Sequence, residues 1–233
     1  MQLSLPVSLV DNETFDTFYE EGNEHLVEHL LGFLNENMLS VQKPLFYLHG
    51  TSGAGKSHLL YSACHALRSQ NEDVMYLDMA EIKAMPTQVI DGMVSNSLVC
   101  IDNIDAISGS KEWEVAIFDL INQALEGAKC RIIIAGQASP TVIGLTLPDL
   151  ISRLSWGIVF QLAKHSDDVL LRILARRLSE RGLKINDESL RFILSRSERK
   201  LTTLMSLVIE LDEKSLQAKR KLTIPFIKEA LSL

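Results

Sequence analysis

Five short apolar runs recur along the first two thirds of the chain: Leu45–His49, Val74–Asp78, Leu98–Asp102, Arg131–Ala135 and Ile158–Phe160. Each has the length of a strand, and each is apolar almost throughout instead of alternating, so both of its faces must be covered. Between them the spacing turns helical, over Ser57–Gln70, near Gln88–Met93 and over Glu112–Leu125. Ahead of them, Leu26, Leu30, Phe33 and Leu34 recur at helical spacing within Asn23–Met38. Alternating strand and helix predicts an α/β fold, a five-stranded parallel sheet with helices on both faces.

After Lys164 the strand-like runs stop. Ser166-Asp167-Asp168 offers an N-cap for a helix to about Arg181, and Gly182 suits its stop. Asp187 opens a second helix with Leu190, Ile193 and Leu194 as its stripe. A third covers roughly Leu201–Gln217, and a fourth starts at Thr223 with Pro225 in its first turn. The expected organisation is a tail over residues 1–12, an α/β domain over 13–163 and a small all-helical domain over 164–233.

Composition narrows the class. Of 233 residues, 46% are apolar, enough for a sizeable core and too many for a disordered chain. No run approaches the roughly 18 apolar residues of a membrane span, and no basic segment followed by an apolar one opens the chain. Cys64, Cys100 and Cys130 form an odd set on apolar stretches, which reads as buried, reduced thiols in a cytoplasmic protein. The net charge of −7 is uneven: residues 164–233 hold 15 Lys/Arg and 10 Asp/Glu, or +5, leaving −12 for the rest. An acidic main body argues against tight autonomous DNA binding. Only the helical part could approach a phosphate backbone, and its basic residues read equally well as solvated helix faces.

The chemistry lies in Gly50-Thr51-Ser52-Gly53-Ala54-Gly55-Lys56-Ser57, a full match to the phosphate-binding G-x-x-x-x-G-K-[ST] loop between a strand and a helix. The glycines let backbone N–H groups turn toward phosphate oxygens, and the helix N-terminus adds its positive end. Lys56 should reach the terminal phosphates and Ser57 should ligate Mg²⁺. The next residue, His58, joins the nucleotide-binding set. The apolar run Leu98-Val99-Cys100-Ile101-Asp102 ends in a carboxylate suited to hold the ion's water shell. Asn103 follows, and an amide cannot take a proton from an attacking water. Rapid hydrolysis by this chain alone is therefore not expected, since Asp105 is a distant substitute. His25 and His29 are spaced i, i+4 but lack a third ligand, so a solvated helix face explains them better than a metal site.

A phosphate-loop α/β domain followed by four helices resembles the AAA+ class, and specifically its DnaA branch. Phe15-Asp16-Thr17-Phe18 is similar to the initiator segment that packs on adenine, which implies contacts from Phe18 and Tyr19. A hydrophobic staple at the first helix explains the same residues equally well. Leu147-Pro148-Asp149-Leu150-Ile151-Ser152-Arg153-Leu154-Ser155-Trp156-Gly157 resembles the arginine-finger segment of that branch, with Arg153 as the finger. Pairing of Arg153 with Asp149 is the bland reading. Gln217–Phe226 and the tail Gln2-Leu3-Ser4-Leu5-Pro6-Val7 complete the likeness. From end to end the chain resembles the Hda family, DnaA-related regulatory inactivators of the bacterial replication initiator.

That resemblance implies an adaptor holding ADP, or ATP, with Mg²⁺. Its partners would be DnaA, whose ATP hydrolysis Arg153 would stimulate in trans, and the DNA polymerase sliding clamp (beta subunit), with DNA contacted only weakly or through the clamp. The extended strip Gln2, Leu3, Ser4, Leu5 and Pro6 is similar to the peptide that grips the clamp, and would bind weakly unless multivalent. Self-association stays open. Two departures from the branch's pattern matter. Gln137 stands where relatives carry an Asp or Asn as first sensor, and the lid's sensing arginine falls at or near Thr202, leaving Arg199 or Lys200 as substitutes. Both weaken the competing reading, a self-sufficient AAA+ ATPase such as a helicase loader or remodelling factor.

Overall fold

The structure, a computed structural model, describes residues 13–35, 43–127, 130–199 and 201–231. It divides into two compact units, residues up to 163 except Ser52–Ala54, and residues from 164 on together with Ser52–Ala54.

The first unit is built on five parallel strands, β1 (Leu45–His49), β2 (Val74–Asp78), β3 (Leu98–Asp102), β4 (Arg131–Gly136) and β5 (Ile158–Gln161). Their order across the sheet is β2-β3-β4-β1-β5. The three central strands are buried on both faces, as their unbroken apolar runs require. One face, carrying Tyr47, Val99, Ile101, Ile132 and Ile134, packs on Trp113, Ile117, Leu120, Leu150 and Leu154. Those last residues come from α4 (Lys111–Leu125) and α5 (Pro148–Trp156). On the other face, Phe46 meets Phe33 of α1 (Glu24–Asn35) at 5.4 Å between ring centroids. There too, the Cys100 thiol points at the Leu60 carbonyl of α2 (Lys56–Arg68). The parallel α/β sheet expected from the apolar pattern is therefore the observed fold.

Element ends differ by a residue or two, for identifiable reasons. Strands β4 and β5 outrun their apolar stretches because pairing with β1 continues to Gly136 and Gln161, both opposite His49. The helical spacing near Gln88–Met93 resolves into two 3-10 turns, Thr87–Ile90 and Met93–Ser95, broken by Gly92 in the left-handed region at φ 74°. A short helix that the spacing did not predict, α3 (Met79–Ile82), is capped by Asp78, which accepts from the Ala80 amide at 2.8 Å. Helix α1 is described to Asn35, and residues 36–42 lie outside the described set.

The second unit contains α6 (Asp167–Glu180), α7 (Asp187–Arg196), α8 (Leu201–Ala218) and α9 (Ile224–Leu231). Ser166 caps α6 and Asn186 caps α7, each accepting from the amide three residues on. Their apolar stripes meet in one core around Leu174, Ile193, Leu204, Leu211 and Ile227. All three cysteines are buried free thiols, and burial pushes the Cys130 thiol up to about 12. No helix among the described residues is long and apolar enough to cross a membrane.

Candidate nucleotide-binding site

The phosphate loop leaves β1 at Gly50 and enters α2 at Lys56. Gly53 and Gly55 take left-handed φ values of 77° and 100°, which fold the loop back on itself before the helix begins. Gly55 is required twice over, because a Cβ there would lie 2.8 Å from Cε2 of Phe18. Phe18 is buried and backs the loop directly. His58, in the first turn of α2, donates from Nε2 to the Thr14 carbonyl at 2.9 Å, and its ring lies 5.4 Å from that of Phe18. The Thr14–Phe18 segment is thus fastened to the start of the phosphate-loop helix, a role beyond a staple for α1. The Tyr19 hydroxyl donates to Glu21 at 2.9 Å.

Lys56 is 8% exposed, and its amine donates to the carbonyls of Gly50 at 2.7 Å and Thr51 at 3.1 Å. Burial pushes this amine below the usual lysine range, while the carboxylates of Asp102 and Asp105 push back. Nearby His49 is also held below the usual histidine range, first by burial and then by the Lys56 charge.

Asp102, at the end of β3, is 1% exposed and has both oxygens engaged. Oδ2 accepts from the Tyr76 hydroxyl at 2.9 Å and Oδ1 from the Asn103 amide at 2.8 Å. Burial first, and then the Asp102 charge, raises Tyr76 well above the usual tyrosine range, so its hydroxyl stays a donor. Tyr61 of α2 stacks on Tyr76 at 4.5 Å. Asn103 sits at φ 54°, and its side-chain amide donates to Asp78 Oδ1 at 2.9 Å. The residue that follows the β3 carboxylate is therefore tied to β2.

Gln137 follows β4, and both its backbone N–H and its side-chain Nε2 donate to Asp105, at 3.2 and 3.1 Å. Asp105 thus stands closer to the site than its sequence offset suggested, since it acts electrostatically on Lys56 and binds Gln137. Gly136 allows this crowding: a Cβ there would meet the Ile143 side chain, the Tyr47 hydroxyl and Ile104 at 2.4 to 2.9 Å.

Arg153 lies in the last turn of α5, half-buried, and its guanidinium makes no ion pair or hydrogen bond among the described residues. Asp149 does not pair with it. In the helical unit Arg199 forms a two-pronged pair with Asp167 at 2.7 and 3.1 Å. Gln2, Leu3, Ser4, Leu5, Pro6, Lys200 and the Thr202 side chain lie outside the described residues.

Strand register would have exposed what sequence reading missed. Asp78 pairs with Asp102 across β2 and β3, so Tyr76, two residues earlier, lies on the same face as both carboxylates. The donor set suits a nucleoside polyphosphate with magnesium: a backbone nest, a buried ammonium, a hydroxyl at Ser57 and a fixed carboxylate at Asp102.

Known proteins share this fold. Residues 9–161 match the family described as the bacterial DnaA ATPase domain, and residues 167–231 match the Hda lid domain. Among solved structures, domain III of the Thermotoga maritima replication initiation protein DnaA aligns with 96% of this chain and 97% of its own, at TM-score 0.80 and 18% identity. AMPPCP-bound DnaA from Aquifex aeolicus aligns over 90% of this chain and 68% of its own, at TM-score 0.75 and 22% identity. The Thermotoga maritima RuvB branch migration motor follows at TM-score 0.70 and 18% identity, over 94% and 71%. The chain belongs to the bacterial DnaA ATPase-domain family of AAA+ proteins, with the lid of its Hda branch.

Proposed function

We propose that this chain is a nucleotide-bound regulator of the replication initiator, which uses Arg153 to complete the ATPase site of DnaA. Its own site would hold ADP, or ATP, through the Gly50–Ser57 loop, with Ser57 and, through water, Asp102 holding magnesium. When bound, that ion neutralises charge between the phosphates. No carboxylate follows Asp102 directly, and Asn103 and Gln137 are committed to Asp78 and Asp105. Those commitments favour a stably held nucleotide over rapid turnover.

The observation that carries the reading is the guanidinium of Arg153, which makes no ion pair or hydrogen bond among the described residues. A fixed arginine fork inserted beside the γ-phosphate of ATP on DnaA stabilises charge that develops as water attacks phosphorus and the bond to ADP breaks, an effect typically worth about 10³–10⁵ in rate. The tail Gln2–Pro6 would tether the chain to the sliding clamp, concentrating it near DNA-loaded initiator.

Single-turnover hydrolysis of ATP preloaded on DnaA, with clamp loaded on DNA, tests this. Arg153→Ala should remove most of the stimulation, and a variant as active as the wild type overturns the finger assignment. Deletion of residues 2–6 should abolish clamp capture. A second reading, a self-sufficient ATPase, draws support from Asp105 beside Lys56. Steady-state turnover by the isolated chain above about 1 s⁻¹ would favour it.

A further inference from the structure

Outside the nucleotide site, the carboxyl of Glu114 in the α/β unit accepts four hydrogen bonds. It sits in the first turn of α4 and is fully buried. Oε1 accepts from the Gly109 amide at 2.8 Å. Oε2 accepts from the Thr146 amide at 2.9 Å, the Thr146 hydroxyl at 3.0 Å and the Leu147 amide at 2.6 Å. Four donors converge on one acceptor-only group, a task that neither glutamine nor an apolar residue can perform. Burial alone would raise this carboxyl, but the hydrogen bonds from Leu147, Gly109 and Thr146 outweigh it and hold it below the usual range.

Three of the four donors, on Thr146 and Leu147, belong to the approach to α5, and the fourth, Gly109, lies just ahead of α4. Leu147 is the N-cap of α5, where its side chain can accept nothing, and Pro148 at the first position has no N–H. Glu114 therefore takes, from α4, the N-cap amide that the glutamate of a capping box would take from within the helix. Helix α5 has only nine residues, with Arg153 the sixth, so the Arg153 backbone lies about 7.5 Å along the axis from the first helical residue. The segment leading into α5 is also fastened earlier. Tyr47 donates to the Ala138 carbonyl at 2.8 Å, and the Ser108 hydroxyl donates to that of Ile143 at 3.1 Å. Glu114 closes this series, joining the turn ahead of α4 at Gly109 to the approach of the helix that carries Arg153.

A buried, fully bonded carboxylate adds little net stability over a well-packed apolar residue, so the arrangement is better explained by the position it enforces. We propose that Glu114 is a positioning residue for Arg153, setting the seat of α5 so that the guanidinium projects at the angle the partner's phosphate requires. This rests on the arginine-finger reading above.

The test uses the full chain with DnaA and DNA-loaded clamp, and compares Glu114→Gln, Thr146→Val and Arg153→Ala. Hydrogen exchange follows the Thr146 and Leu147 amides. Stimulation is resolved into its maximal rate and half-saturating concentration, and ADP affinity is measured separately. Glu114→Gln should speed exchange at both amides at least tenfold and lower the maximal rate about tenfold or more, because displacement by about 1 Å costs that much or more in a positioned reaction. Half-saturation and ADP affinity should move less than about twofold, a split that general unfolding would not produce. Thr146→Val, which deletes one donor and keeps the carboxylate, should lower the maximal rate a few-fold.

Faster exchange with an undiminished maximal rate overturns the proposal, and so does a lost rate with unchanged exchange. If Glu114→Gln does not fold, Thr146→Val decides, and an unchanged maximal rate then rejects the role. Wild-type stimulation by Arg153→Ala rejects the finger reading, whereas an inert Arg153→Ala beside a fully active Glu114→Gln rejects only the positioning.

Discussion

The two units of this protein use charge in opposite ways. In the α/β unit the decisive charged groups, Lys56, Asp102 and Glu114, are all buried and hydrogen-bonded: Lys56 donates to carbonyls of its own loop, while Asp102 and Glu114 accept from neighbouring segments. In the helical unit the ion pairs lie outside: Arg199–Asp167 and Arg176–Glu180 join side chains that are about half exposed. Distance does not separate the two groups. The Arg199–Asp167 contact, at 2.7 Å, is shorter than Tyr76–Asp102 at 2.9 Å. Solvent does separate them, because water competes for an exposed pair and screens it but cannot replace the partner of a buried group. Mutations that remove contacts of similar length should therefore have very unequal effects.

The largest effect belongs to Lys56→Ala. A buried ammonium opposite polyphosphate is worth roughly 1.5–3 kcal/mol as a charge-assisted contact, so affinity for a fluorescent ADP analogue should fall about 10- to 100-fold. Titration by fluorescence anisotropy measures it, and an unchanged affinity would detach the loop from nucleotide binding.

Tyr76→Phe comes next. It deletes one hydroxyl and leaves Asp102 Oδ2 buried without its donor, which should cost about 1–3 kcal/mol of stability in urea unfolding. Freed from Tyr76, the carboxylate should also hold magnesium less well. The gain in nucleotide affinity on adding Mg²⁺ should shrink, while affinity in EDTA stays the same. Equal losses with and without the metal would reduce Tyr76 to a packing residue.

The buried region is also where sequence and structure part company. The phosphate loop was legible because its chemistry is local: glycines at fixed offsets, then lysine, between an apolar run and a helix. The strands were legible because burial on both faces leaves no polar interruption. The Tyr76–Asp102 and Asp105–Gln137 contacts span 26 and 32 residues and depend on strand register, which no local pattern reveals. Glu114 looks in sequence like one of two acidic residues suited to the first turn of α4, and only the folded chain distinguishes it from exposed Glu112. The helical unit was the reverse: Ser166 and Gly182 marked the ends of α6 because caps are also local chemistry.

The smallest effect tests the comparison from its other side. Arg199 was a candidate to replace the sensing arginine whose place the resemblance puts at or near Thr202, yet its guanidinium grips Asp167 at the first position of α6. The pair raises Arg199 and lowers Asp167, first through the hydrogen bond between them, as expected of two charges that satisfy each other. Both side chains remain more than half exposed, so solvent can take over either role once the other is gone. Asp167 would also stay well placed at the α6 N-terminus, where a carboxylate is favoured without any partner. Arg199→Ala should therefore leave the thermal midpoint and the ADP affinity unchanged within error. A marked loss of nucleotide affinity in that variant would show that this arginine leaves Asp167 to serve the phosphate site, and exposure would then be a poor guide to which contacts matter.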